Sequence, residues 1–193
     1  MPSMLDDLSN QLLTGGTVQQ MSTQIGADPA TTRQAVTAAL PVLLGQLARN
    51  ASAPGGAEAL AGALGRDHDG SVLDDVPSAV SGFRSGAGAS ILRHVFGQRQ
   101  PAVQSGLGKV SGLNSQQTQQ LLAMLAPIVL GMLGRAKRQR GLDAKGVADV
   151  LGNEQQEVSR SPLGGLLGLL DADKDGSVVD DAMGVMGRVL GRR

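Results

Sequence analysis

From Ile25 to Leu47 the chain reads IGADPATTRQAVTAALPVLLGQL, with apolar side chains at Val36, Leu40, Leu43, Leu44 and Leu47. Spacings of three and four residues put these on one face of an α-helix. From Ser111 to Leu133, SGLNSQQTQQLLAMLAPIVLGML sets Leu122, Leu125, Val129, Leu130 and Leu133 in the same rhythm. Asp28 is the expected N-cap of the first helix, with Pro29 at the first helical position, where a missing N–H costs nothing. Asn114 or Ser115 is the expected cap of the second. Pro41 and Pro127 fall inside the two patterns, and each predicts a kink or a break there. Shorter helical patterns occupy Met4 to Leu13, Ala57 to Gly65, Ala89 to Gly97 and Ala144 to Gly152. Gly65 and Gly152 are placed to end their helices as C-cap glycines. Alternating runs of β-branched and aromatic residues are missing, so the fold class is all-α.

The two long patterns are also copies of each other. Laid over one another without a gap, Gly26 falls on Gly112, Asp28 on Asn114, Thr32 on Thr118 and Gln34 on Gln120. Pro41 then meets Pro127, Leu44 meets Leu130, Gly45 meets Gly131 and Leu47 meets Leu133. Such agreement, interior proline included, points to internal duplication. The expected plan is two homologous multi-helix units packed as one body: 1–80, a Gly/Ser-rich link at 81–90, and 91–193. Glycines recur at three- and four-residue spacing, as at Gly131 and Gly134. Short helices with glycine stops are favoured over a close helix-pairing face, because the small-residue rule comes from membranes.

Composition narrows the function classes. Phe83 and Phe96 are the only aromatics, so the core must be built from aliphatic side chains and methionine. The 17 acidic and 17 basic residues balance, which argues against a nucleic-acid partner, as does the shortage of base-stacking rings. Without cysteine there is no thiol nucleophile or thiolate-bound zinc. The apolar run Leu121 to Gly134 is 14 residues long, short of the roughly 18–20 that span a bilayer. The acidic start MPSMLDDLSN does not read as a secretory signal, so a cytoplasmic chain is expected. Met124, Met132, Met183 and Met186 read as core filling, with an adaptable partner surface as the alternative.

Two acidic turns are the main candidates for chemistry. DADKDGSVVDDA, Asp171 to Ala182, begins like a calcium loop of the EF-hand kind. Asp171, Asp173 and Asp175 fill the first, third and fifth ligand positions, and Gly176 makes the turn at the sixth. The twelfth position, where a bidentate carboxylate belongs, is Ala182; Asp181 stands one residue early. The shorter RDHDGSVLDDV, Arg66 to Val76, fits less well, with Gly65 at the first ligand position. Both turns are also explained as helix starts. Ser71 with Asp74, and Ser177 with Asp180, have capping-box spacing, with Asp75 and Asp181 in the first helical turn. The candidate calcium ligands are therefore Asp171, Asp173, Asp175 and Asp181.

Other candidates are weaker. His68 with Asp67 and Asp69 could hold a transition metal, but a solvated turn histidine is the plainer reading. His94 is expected to be half-buried beside Phe96. The basic run GRAKRQRG, Gly134 to Gly141, closes the second long helix and complements its negative end.

The long-helix motif IGADPATTRQAVTAALPVLLGQLARNA, the helix AEALAGALG and the DGSVLDD and DGSVVDD turns together resemble the YidB-like family of bacterial proteins. The resemblance implies a small all-helical bacterial protein and brings no activity, ligand or catalytic residue. A structural or protein-interaction module without enzymatic activity is expected, acting on a protein partner or on itself. A calcium-binding regulator using residues 171–181 is the alternative.

Overall fold

The computed structural model describes residues 3–14, 16–82 and 86–160, and their regular structure is entirely helical. The first half contains α1 (Met4–Leu13), α2 (Thr17–Ile25), α3 (Pro29–Ser52), α4 (Gly56–Arg66) and the short α5 (Val76–Ser81). The second contains α6 (Ala87–Phe96), α7 (Gln100–Ser111), α8 (Ser115–Arg140) and α9 (Ala144–Arg160).

The long helices start as their sequences dictate. The Asp28 carboxylate accepts from the N–H groups of Ala30 and Thr31, both at 3.0 Å. Asn114 accepts from the N–H of Gln117 at 2.9 Å, and Gln117 closes a capping box by accepting from the Asn114 N–H at 3.0 Å. Thr32 and Thr118, both buried, donate their hydroxyls back to the carbonyls of Asp28 and Asn114, each at 2.9 Å. The preceding turns match as well: Gly26 and Gly112 hold the left-handed conformation, with φ 67° and 79°.

Both helices run through their prolines without interruption, so the alternative of a break at Pro41 or Pro127 is overturned. Each proline removes one rung of the helical ladder, which local propensity alone would not tolerate. Leu40, Leu43 and Leu44 on α3, and Leu121, Leu122 and Leu125 on α8, are fully buried. At about 1.5–3 kcal/mol for each such side chain, burial outweighs the missing rungs.

The two halves interleave. The helix α9 lies chiefly on α3, while α4 packs on both α3 and α8. The second helix of each half also touches the long helix of the other. Gln34 on α3 donates its side-chain amide to the Val110 carbonyl of α7 at 3.1 Å, and Gln117 on α8 donates to the Gly26 carbonyl beyond α2 at 2.9 Å.

Several boundaries differ from the sequence pattern. The helix α4 ends at Arg66 with Asp67 as its C-cap, so Gly65 lies inside it. Gly152 is likewise interior, because Val147, Leu151, Glu154 and Val158 carry the buried face of α9 past it. The helices α2, α5 and α7 are not among those the pattern predicts, and α6 begins at Ala87, inside the segment expected to be a link. Among the described residues, α8 alone is long and apolar enough to cross a membrane, and 67% of its most apolar window is buried against other parts of the protein. The contiguous run Leu121 to Gly134 understated this helix, which is 26 residues long.

Candidate functional site

The segment between α4 and α5 carries the first acidic turn, and it lies on α8. Asp67 ends α4; Ser71–Asp74 form one 3-10 turn, and Asp75 starts α5. Gly70 has φ 98°, a conformation side chains rarely adopt, and a Cβ there would lie 2.8 Å from Cβ of Arg135. The contact is equally close on the helix. A Cβ on Gly131 would collide with the Val72 side chain, and one on Gly134 with the backbone carbonyl of His68. These glycines are not helix stops. They form a floor on which the backbone of the turn rests, the closer packing that the glycine spacing was weighed against.

Two arginines flank that floor. Arg135 pairs with Asp74, and its Nη2 donates to the Gly70 carbonyl at 3.1 Å. Arg138 pairs with Asp69 at 3.2 Å. Both pairs are largely open to solvent, where screening leaves an ion pair little net stabilisation, whereas the glycine contacts are close backbone packing. The run 134–141 therefore supplies two counter-ions for the acidic turn besides complementing the end of α8.

The capping box expected at Ser71 and Asp74 does not form. The hydroxyl of Ser71 makes no cap; its N–H instead donates to Asp69 Oδ1 at 3.0 Å, an Asx turn. The helix start is Asp75, which accepts from the N–H of Ser78 at 3.0 Å and from its hydroxyl at 2.6 Å. Pro77 explains the shift. It cannot donate within a helix begun at Ser71, but it fits the first turn of one capped by Asp75.

These bonds set the electrostatics. Hydrogen bonds from the backbone and hydroxyl of Ser71, together with Arg138, hold Asp69 below the ordinary carboxylate value. The bonds from Ser78 do the same for Asp75. His68 is half-buried against α8 rather than solvated; desolvation lowers its pKa, against the opposing charge of Asp67. Among the described residues no three histidine or acidic side chains converge as a metal site would need, so His68, Asp67 and Asp69 do not form one. Asp171, Asp173, Asp175 and Asp181 lie outside the described residues, as do Ser177, Asp180, Met183 and Met186.

Two placements depart from sequence reasoning. His94 is exposed, not half-buried, with Nδ1 2.8 Å from the Ser90 carbonyl, while Phe96 beside it in sequence is buried. Glu154, which sequence reasoning did not single out, is a buried carboxylate at the N-terminus of α1. The N–H groups of Met4 and Leu5 donate to its two oxygens at 2.7 and 3.1 Å. The hydroxyl of Ser3 accepts from the backbone N–H of Asp6 at 3.1 Å, and the Asp6 carboxylate accepts from the Ser3 N–H at 3.3 Å, so the unpaired N–H groups that open α1 are satisfied. The negative charge also meets the positive end of the helix dipole. The only sequence signal was the position of Glu154 on the same face as Leu151 and Val158.

Residues 6–136, most of the chain, match a family described as bacterial protein of unknown function (DUF937). That match agrees with the resemblance carried by the long-helix motif and the first acidic turn. Neither a curated protein nor a solved structure matches the chain.

Proposed function

The chain belongs to this family of bacterial proteins, and we propose for it a non-enzymatic role, that of a helical module which engages a protein partner or a second copy of itself. One observation carries the reading. Among the described residues, the carboxylates of the first acidic turn and the buried Glu154 serve the fold: Asp69 and Asp74 fasten the turn to α8, Asp75 starts α5, and Glu154 joins α9 to α1. The module is two copies of one unit, 1–80 and 91–193, each bending its long helix at the proline. Matching caps at Asp28 and Asn114, and matching glycine turns at Gly26 and Gly112, support the duplication. A cytoplasmic location fits a long apolar helix whose surface is mostly covered by its own chain.

The competing reading, a calcium-responsive regulator, rests on the spacing of Asp171, Asp173, Asp175 and Asp181. Thermal melts with calcium, with magnesium and with chelator separate the two. The same midpoint in all three is expected of a structural module. A rise with calcium alone, lost in Asp173→Ala and Asp175→Ala, would replace that reading with the regulator.

A further inference from the structure

We propose that the end of α6, the 3-10 turn Gly97–Arg99 and α7 form a docking face for a second copy of this chain, which presents acidic side chains to Arg93, Arg99 and Lys109. The inference rests on the reading of the protein as an interaction module, and it names the surface and its occupant. Segregated charge, local structure and the source of the complementary charge carry it.

Residues 76–142 contain eight arginines and lysines and no aspartate or glutamate. All 17 acidic residues therefore lie elsewhere in the chain, with nine of the 17 basic ones. Two sets of cations within the segment differ. On α8, Arg135 and Arg138 are answered by Asp74 and Asp69. Arg93, Arg99 and Lys109 are exposed, and among the described residues none of them pairs with a carboxylate.

The helices α6 and α7 pack on α3 and α8, and none of these four helices contains a carboxylate. Asn50, near the end of α3, donates to the Val95 carbonyl at 2.8 Å, and Gln34, near its start, reaches the Val110 carbonyl. The chain from Val95 to Val110 thus runs back along α3, over a surface without acid. Asp28, which caps α3, is engaged by the N–H groups of Ala30 and Thr31. Arg99 stands against local electrostatics. It is the N-cap of α7, makes no side-chain cap bond, and sets a cation at the positive end of the helix dipole. Helix formation does not call for arginine there, whereas an acidic surface laid on it is attracted by both charges.

The complementary charge is supplied by the chain itself. Residues 1–75 hold eight acidic residues against three basic ones, and Asp7 and Glu58 are exposed without an ion pair among the described residues. A neutral chain that keeps its cations and anions on different segments is attracted to its own copies at low ionic strength. The one aromatic ring on α6, Phe96, is buried, and Gln98 and Pro101 are exposed beside Arg99. Such a face suits carboxylates better than stacked bases or bilayer insertion. Because the basic face of one copy meets the acidic surface of the next, the contact is head-to-tail.

Sedimentation velocity of the full chain tests this at about 0.01 M and 1 M salt, where charges are felt over about 30 and 3 Å. A species larger than the monomer is expected at low salt and the monomer at high salt. The triple variant Arg93→Glu, Arg99→Glu, Lys109→Glu is monomeric in both, its self-association weakened about tenfold or more. Arg66→Glu, an exposed cation on α4, leaves the association unchanged. The triple variant keeps its acidic surface, so a labelled sample still sediments with unlabelled wild type, which also shows that it folds. A wild-type chain that is monomeric at low salt, or an association that survives 1 M salt or the triple reversal, overturns the proposal. A peptide of ten glutamates separates that failure from failure of the module reading. Capture of the peptide by a monomeric wild type, lost in the triple variant, would remove the self-docking and leave a protein partner. Preference for phosphatidylglycerol vesicles over the peptide would remove both.

Discussion

On α8, Gly131 and Gly134 lie beneath the backbone of an acidic turn, and Arg135 and Arg138 hold the turn at its edges. On α3 the corresponding positions are Gly45 and Ala48, and among the described residues nothing lies within 4 Å of a Cβ built at Gly45. The helices share their cap chemistry, their interior proline and their leucine face. Their difference shows that a glycine in a helix has no fixed meaning. Its contribution depends on what approaches it: a carbonyl and a valine side chain make Gly131 and Gly134 obligatory, while open space leaves only the helix-propensity penalty.

The largest test of that contrast is a single methyl group. Gly134→Ala is expected to lower stability by about 1–3 kcal/mol in urea unfolding, because the His68 carbonyl cannot move without moving the turn. Gly65→Ala, inside α4 with no described atom near its Cβ, is expected to raise stability by about 0.5–1 kcal/mol. Equal effects of the two substitutions would show that the turn does not rest on α8.

The caps give a smaller effect and sharpen the likeness between the long helices. Asp28→Ala and Asn114→Ala are each expected to cost about 1 kcal/mol, measured by the same unfolding. A cost confined to one of them would break the equivalence of α3 and α8 at their starts.

The smallest expected effect is on pH dependence, where the turn on α8 should stand out. Burial depresses the pKa of His68, so the fold favours its neutral ring. The stability this provides is complete above the ordinary value of 6.5 and is lost as pH falls through the lowered folded value. Asp69, depressed chiefly by its bonds with Ser71, adds a second loss below the ordinary carboxylate value of 3.8. Melting midpoints should therefore decline on acidification below 6.5, and His68→Gln should flatten the upper part of that decline while sparing the carboxylate part. An unchanged profile in His68→Gln would show that the ring is not desolvated by α8.

Features governed by neighbours in sequence were legible. Asp28 and Asn114 cap where their spacing to the following N–H groups says they should, and Met4–Leu13 forms a helix over the span its pattern marks. The acidic turn was half legible. Its Asp-Gly step is a turn, but Ser71 and Asp74 have the spacing of a capping box without its geometry, because Pro77 moves the helix start to Asp75. Helix α2 is not legible because TVQQMSTQI is short and polar, and its buried face mixes the apolar Val18, Met21 and Ile25 with the polar Thr17 and Ser22.

By itself the sequence determined the helical class, the caps and faces of the long helices, and the likeness of their two segments. Each of these follows from interactions within a few residues, which a linear pattern records. Tertiary structure alone decided that Gly131 and Gly134 are a floor, that Arg135 and Arg138 answer Asp74 and Asp69, and that Glu154 completes the start of α1 across 150 residues of chain. Close approach and charge pairing between distant segments depend on which helix faces which, and the spacing of residues along the chain does not carry that information.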